Sequence, residues 1–224
     1  MLELQPEDSM QHWAQSMEEQ MAAQRQRLRA RLPQQVADNS GASWTPTGPG
    51  EGALSLTFFQ QPLVVRVPEY RVLRPDGSDA PIMIQGLATT YLLMATGAQR
   101  AGEWVAFREL PNGAFYHRAF TGYTGELLSR TLGNDLEAFE RGARAAGGSR
   151  LTGLGDAAYE FRALPRIWLA ATYWLGDEEE GFAPQARVLF DRCASHYMII
   201  DGLAIIGSQL VRHILSNAAG EMPR

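Results

Sequence analysis

Six side chains in the C-terminal third have the chemistry for acid–base or metal work: Asp177, Glu178 and Glu179 in an acidic turn, then Asp191, His196 and Asp201. Carboxylates and imidazole are the usual ligands of divalent metals and the usual carriers of protons. Asp191 and His196 are the candidate catalytic pair. Asp177, Glu178, Asp191 and His196 are the candidate metal set. The alternative is a solvated turn over residues 177–180 with aspartates that cap local backbone. Ser195 beside His196 invites a hydrolase reading, but neighbours in sequence point apart and no Gly-x-Ser-x-Gly elbow is present. Cys193 stands three residues before His196; an activated thiolate and a buried, inert thiol are its two readings.

A second group suits binding rather than catalysis. Arg108, Arg118, Arg162 and Arg166 lie within or beside strand-like segments, where a guanidinium fork is rarely left without a carboxylate or phosphate. His117 and Trp174 join them as candidate ligand-binding residues, Trp174 as one of several aromatics suited to line a pocket or fill a core. Glu103, Glu109 and Glu160 are the acids with which these arginines would pair internally if no ligand is involved. All 20 basic residues are arginine. The absence of lysine excludes Schiff-base chemistry, a lysine general base and a phosphate-loop lysine.

Local periodicity places these groups on a succession of helices and strands. Helical spacing of Met10, Trp13, Met17, Met21 and Leu28 predicts an amphipathic N-terminal helix capped by Asp8, with a basic run, Arg25 to Arg31, near its end where cations favour the helix dipole. Residues 39–52, rich in Gly, Ser, Pro and Thr, read as a loop. Strands are expected at 53–58, 62–67 and 70–73, then a helix started by Asp79 and Pro81 and ending at Gly97. Residues 103–110 read as a strand, and 114–146 as two helices broken at Gly133-Asn134-Asp135. Strands at 157–161, 166–174 and 186–190 precede a final helix capped by Asp201. The fold class is α+β: a single domain with a mainly antiparallel sheet flanked by helices, in which a helical arm over 1–40 packs with an α+β region over 53–216 as one unit.

A net charge of −5 with pI ≈ 5.4 speaks against nucleic acid as a partner. No apolar run reaches the roughly 18 residues a membrane span requires. The acidic N-terminus is unlike a signal peptide, so the expected location is the cytoplasm. One cysteine cannot form an internal disulfide.

The run Phe161-Arg162-Ala163-Leu164-Pro165-Arg166, then Trp174-Leu175-Gly176-Asp177, Leu189-Phe190-Asp191 and Ser195-His196-Tyr197, resembles a bacterial and archaeal family called domain of unknown function 3786, as does the stretch from Trp104 to Tyr116. The resemblance implies an association with anaerobic one-carbon or corrinoid metabolism, because some relatives carry an added N-terminal cysteine-rich segment like an iron–sulfur module. Residues 1–40 of this chain hold no cysteine. Three functions are therefore expected in turn. The first is a cytoplasmic accessory domain binding an anionic, cofactor-like ligand such as a tetrapyrrole, or a partner protein that does. The second is a metal- or acid/base-dependent enzyme using Asp191, His196 and the 177–180 turn. The third is an interaction module docking through the Met- and Arg-rich first helix. No cofactor is named by the residues themselves.

Overall fold

The computed structural model describes residues 6–177 and 179–219, with side chains from residue 15 onward. The class is α+β: among the described residues, seven α-helices accompany two antiparallel sheets of four and five strands. The chain divides into two compact units, Met1–Thr57 with Gln61–Ala98 and His196–Met198, and Phe58–Gln60 with Gln99–Ser195 and Ile199–Arg224.

The first unit opens with α1 (Pro6–Arg29), which starts two residues ahead of the Asp8 expected to cap it. Met21 and Leu28 are buried, and Gln24 and Arg25 hydrogen-bond Thr90 and Gln85 of α3 (Ile82–Met94) at 3.0 Å each. Gly86 of α3 lets Met17 come within contact of its backbone. The apolar stripe of α1 thus faces α3 from Met17 onward. A short helix α2 (Pro33–Ser40) ends at Gly41, whose φ of 71° is the left-handed conformation that glycine adopts without a Cβ clash. The sheet is a meander of β1 (Ser43–Gly48), β2 (Glu51–Phe58), β3 (Gln61–Val67) and β4 (Arg71–Leu73). In β2, Leu54, Leu56 and Phe58 are buried while Ser55 and Thr57 are exposed, the two-residue alternation of a half-covered sheet.

The second unit is built on a sheet of order β5-β9-β8-β7-β6: β5 (Trp104–Ala106), β6 (Ser149–Leu151), β7 (Ala157–Leu164), β8 (Ile167–Trp174) and β9 (Gln185–Asp191). Central β8 is buried on both faces from Leu169 to Tyr173, as its near-continuous apolar run requires. Four helices belong to this unit: α4 (Gly113–Tyr123), α5 (Gly125–Leu132), α6 (Leu136–Ala145) and α7 (Ile200–Ala218). Asp135 caps α6 by accepting from Ala138 N at 2.8 Å. Gly142 lets α6 approach α7 so closely that a Cβ there would overlap the Ile214 carbonyl oxygen. Asp201 lies in the first turn of α7, whose cap position is Ile199, so the expected capping aspartate is not one. Its carboxylate still lies where the helix dipole favours a negative charge.

Candidate functional site

Only the first part of the expected 103–110 strand is extended. After β5 the chain tightens into a 3-10 turn, Phe107–Glu109, held by Glu109 Oε2 accepting from Ala106 N at 2.7 Å. Glu109 is thereby occupied with backbone and does not pair with Arg108. Gly113, which opens α4, has no Cβ because the Phe107 carbonyl oxygen fills that space. Gly125, which opens α5, is pressed in the same way against Ala186 of β9. These two glycines bring both helices onto the turn and the strand. The α4–α5 break between them falls at Thr124, whose φ and ψ of −120° and −94° are not helical.

Between these elements is a pocket of about 230 Å³. Phe107 and Phe120, stacked at 4.0 Å between ring centroids, form part of its wall together with Val188. The polar lining is Arg108, His117, Thr121, Thr124 and Arg187. Thr121 Oγ1 donates to the backbone carbonyls of His117 and Arg118, and Thr124 Oγ1 to that of Phe120, so neither hydroxyl proton is free for a ligand. His117 Nδ1 is buried without a hydrogen-bond partner. No carboxylate lines the pocket, and neither Arg108 nor Arg187 forms a salt bridge among the described residues. Arg187 instead lies 5.1 Å from the Trp174 ring centroid, which steadies its guanidinium.

The glutamates expected as partners are engaged elsewhere. Glu103 holds Arg192 in a two-pronged pair at 2.5 and 2.6 Å, and Glu160 holds Arg100 at 2.5 Å. Arg162 donates from Nε and Nη2 to the Pro165 carbonyl at 3.0 and 2.7 Å. Arg162 and Arg166 line a separate cleft, and Arg118 is exposed on α4. The structure therefore sorts the sequence candidates: Arg108 and His117 share the first pocket, Trp174 supports it through Arg187, and Arg162 and Arg166 stand apart. Sequence reasoning missed Arg187, Thr121 and Thr124. Arg187 carried the signal used for Arg108, an arginine inside an apolar strand segment.

The proposed acid–base and metal groups have different surroundings. Asp191 is fully buried at the end of β9, accepting from Ala101 N (3.0 Å), Gly102 N (2.8 Å) and Cys193 N (3.0 Å), with Arg100 Nε at 3.6 Å. Burial by itself would raise its pKa, but the hydrogen bonds from Cys193, Ala101 and Gly102 outweigh it and hold the carboxyl below its ordinary value. Burial, reinforced by that carboxylate, pushes the Cys193 thiol up to about 12, the condition of an inert cysteine. Asp177 Oδ1 accepts from Glu179 N and Glu180 N at 2.9 and 3.1 Å, organising its own turn. His196 is exposed, and Glu178 lies outside the described residues. Among the described residues, no three His, Cys, Asp or Glu side chains are grouped to hold a metal ion.

No described helix is long and apolar enough to cross a membrane. No curated protein and no solved structure matches the chain. A family model does, over residues 33–213, a span that contains the pocket, the cleft and the sheet joining them, and the chain thus belongs to the family described as Domain of unknown function (DUF3786).

Proposed function

We propose that the chain is a binding domain for a small oxyanion, a phosphate or carboxylate group, taken up in the pocket of Arg108, His117 and Arg187. The observation that carries this reading is a concave site with two arginines and no acid, in which a buried imidazole nitrogen has no partner. A buried polar atom without a partner costs about 1–3 kcal/mol, and a bound ligand group is one way to recover it. Guanidinium forks supply paired donors to either oxyanion.

The volume of about 230 Å³ favours a ligand near the size of phosphate or a short dicarboxylate over a tetrapyrrole, since pockets for drug-sized molecules span roughly 300–1,000 Å³. A larger cofactor would reach this site only with a carboxylate or phosphate arm.

The test is local to the pocket. The ring proton signals of His117, identified by their loss in His117→Phe, should shift saturably when inorganic phosphate or succinate is added at fixed ionic strength. Arg108→Gln and Arg187→Gln should each raise the concentration needed by about tenfold or more. Ring signals that ignore both anions, or that respond equally in the arginine variants, would dismiss the reading.

A further inference from the structure

The turn between β7 and β8 builds another cationic cleft, of about 230 Å³, lined by Gln99, Arg100, Arg162, Pro165, Arg166 and Trp168. Arg162 and Trp168 are register partners across β7 and β8, so their side chains share one face of the sheet. The Arg162 guanidinium carbon lies 5.3 Å from the Trp168 ring centroid. Glu160, two residues earlier on β7, shares that face and holds Arg100. Arg100 in turn lies 4.3 Å from the Trp168 ring and 5.4 Å from that of Trp104.

The donors here are fixed before any ligand arrives. Stacking on indole and a carboxylate partner hold Arg100; stacking and the Pro165 carbonyl hold Arg162. A guanidinium has five N–H donors, and the only acceptor that Arg162 meets among the described residues is a neutral carbonyl using two of them. The two nearby carboxylates, Glu160 and Asp191, are both directed to Arg100. Arg162 therefore brings its charge to the cleft with no carboxylate partner among the described residues, and ordering cost at the two fixed arginines is already met by the fold.

We infer that this cleft is a second oxyanion site, independent of the first pocket, in which Arg162 is the principal donor to a phosphate or carboxylate group beside the Trp168 indole. Arg166, which has an interaction of its own, and the Gln99 amide complete its lining. The sequence marked Arg162 and Arg166 as ligand candidates; the fold adds Arg100, Gln99 and Trp168.

The experiment uses the full chain carrying Arg108→Gln and Arg187→Gln, so that the first pocket is disabled and the two sites fail separately. The indole N–H resonance of Trp168, identified by its loss in Trp168→Phe, is followed as inorganic phosphate or acetate is added at constant ionic strength. A saturable shift is expected, weakened about tenfold or more by Arg162→Gln and restored only in part by Arg162→Lys, which keeps the charge but loses the stacked fork. Response to phosphate but not acetate identifies a phosphate site, and the reverse a carboxylate site; both support the inference. An indole signal unmoved by either anion, or one moved equally with Arg162→Gln, overturns it.

Discussion

Arg25, Arg29 and Arg31, at and just past the end of α1, and the arginines around the first pocket are the same side chain in opposite surroundings. Arg25 meets Glu18 and Gln85, Arg29 meets the Pro68 carbonyl at 3.1 Å, and Arg31 meets the Leu93 carbonyl at 2.7 Å. Each ends on an acceptor supplied by its own unit and lines neither cavity, which is a structural use. Arg108 and Arg187 have cavity and aromatic neighbours but, among the described residues, no anion. The difference lies in where the acceptors are: Glu109 and Asp191, the acids nearest in sequence to Arg108 and Arg187, are spent on backbone and on Arg100. A guanidinium that lines a cavity and meets no carboxylate is the one that can serve a ligand.

Four substitutions would break or sharpen that contrast. Phe120→Ala should have the largest effect, about 3–5 kcal/mol of lost stability in urea denaturation, because it removes a buried ring from both the core and the pocket wall. Anion binding at His117 should fall with it.

Asp191→Asn should cost about 2–3 kcal/mol, since the amide nitrogen would face a backbone N–H and Arg100 would lose a carboxylate. Its pH dependence has a defined sign. The folded carboxyl binds its proton more weakly than the unfolded one, so its contribution is complete above the unfolded value of about 3.9 and is lost as pH falls through the lower folded value. The stability gap between parent and variant should therefore be flat at neutral pH and close below about pH 4, as read by denaturation at a series of pH values. A gap that widens on acidification would contradict the satisfied-carboxylate description.

Arg31→Gln should lose about 1 kcal/mol, the worth of one hydrogen bond to a carbonyl, and leave anion binding unchanged. Arg108→Gln should do the reverse: stability within about 0.5 kcal/mol of the parent, with weakened binding. If the two variants exchange these phenotypes in thermal denaturation and anion titration, the division between structural and ligand-facing arginines fails.

Much of the architecture is legible from local patterns. The alternation of Leu54, Leu56 and Phe58, the apolar run of β8 and the spacing of Leu203, Ile206, Leu210 and Ile214 each locate a strand or helix, because burial of one face imposes its period on the chain. The elements not legible are those with weak periods. β1, expected as loop, is a largely exposed strand at the sheet edge, where Pro46 is tolerated. The additional break at Thr124, inside what reads as one helix, follows from Gly125 pressing on β9, a long-range contact that helical spacing does not encode.

The same boundary runs through the site. The sequence alone determined which residue types are available: no lysine, one cysteine, arginines beside strands, a histidine after a turn. Those facts limit the chemistry to guanidinium, imidazole and carboxylate. Tertiary packing alone sets which acids meet which arginines, that Asp191 is occupied by backbone, and that Arg108, His117 and Arg187 share a pocket lined by no acid among the described residues. Pairing of charges depends on distances between segments far apart in the chain, such as Glu103 and Arg192, 89 residues apart, and sequence spacing carries no such distance.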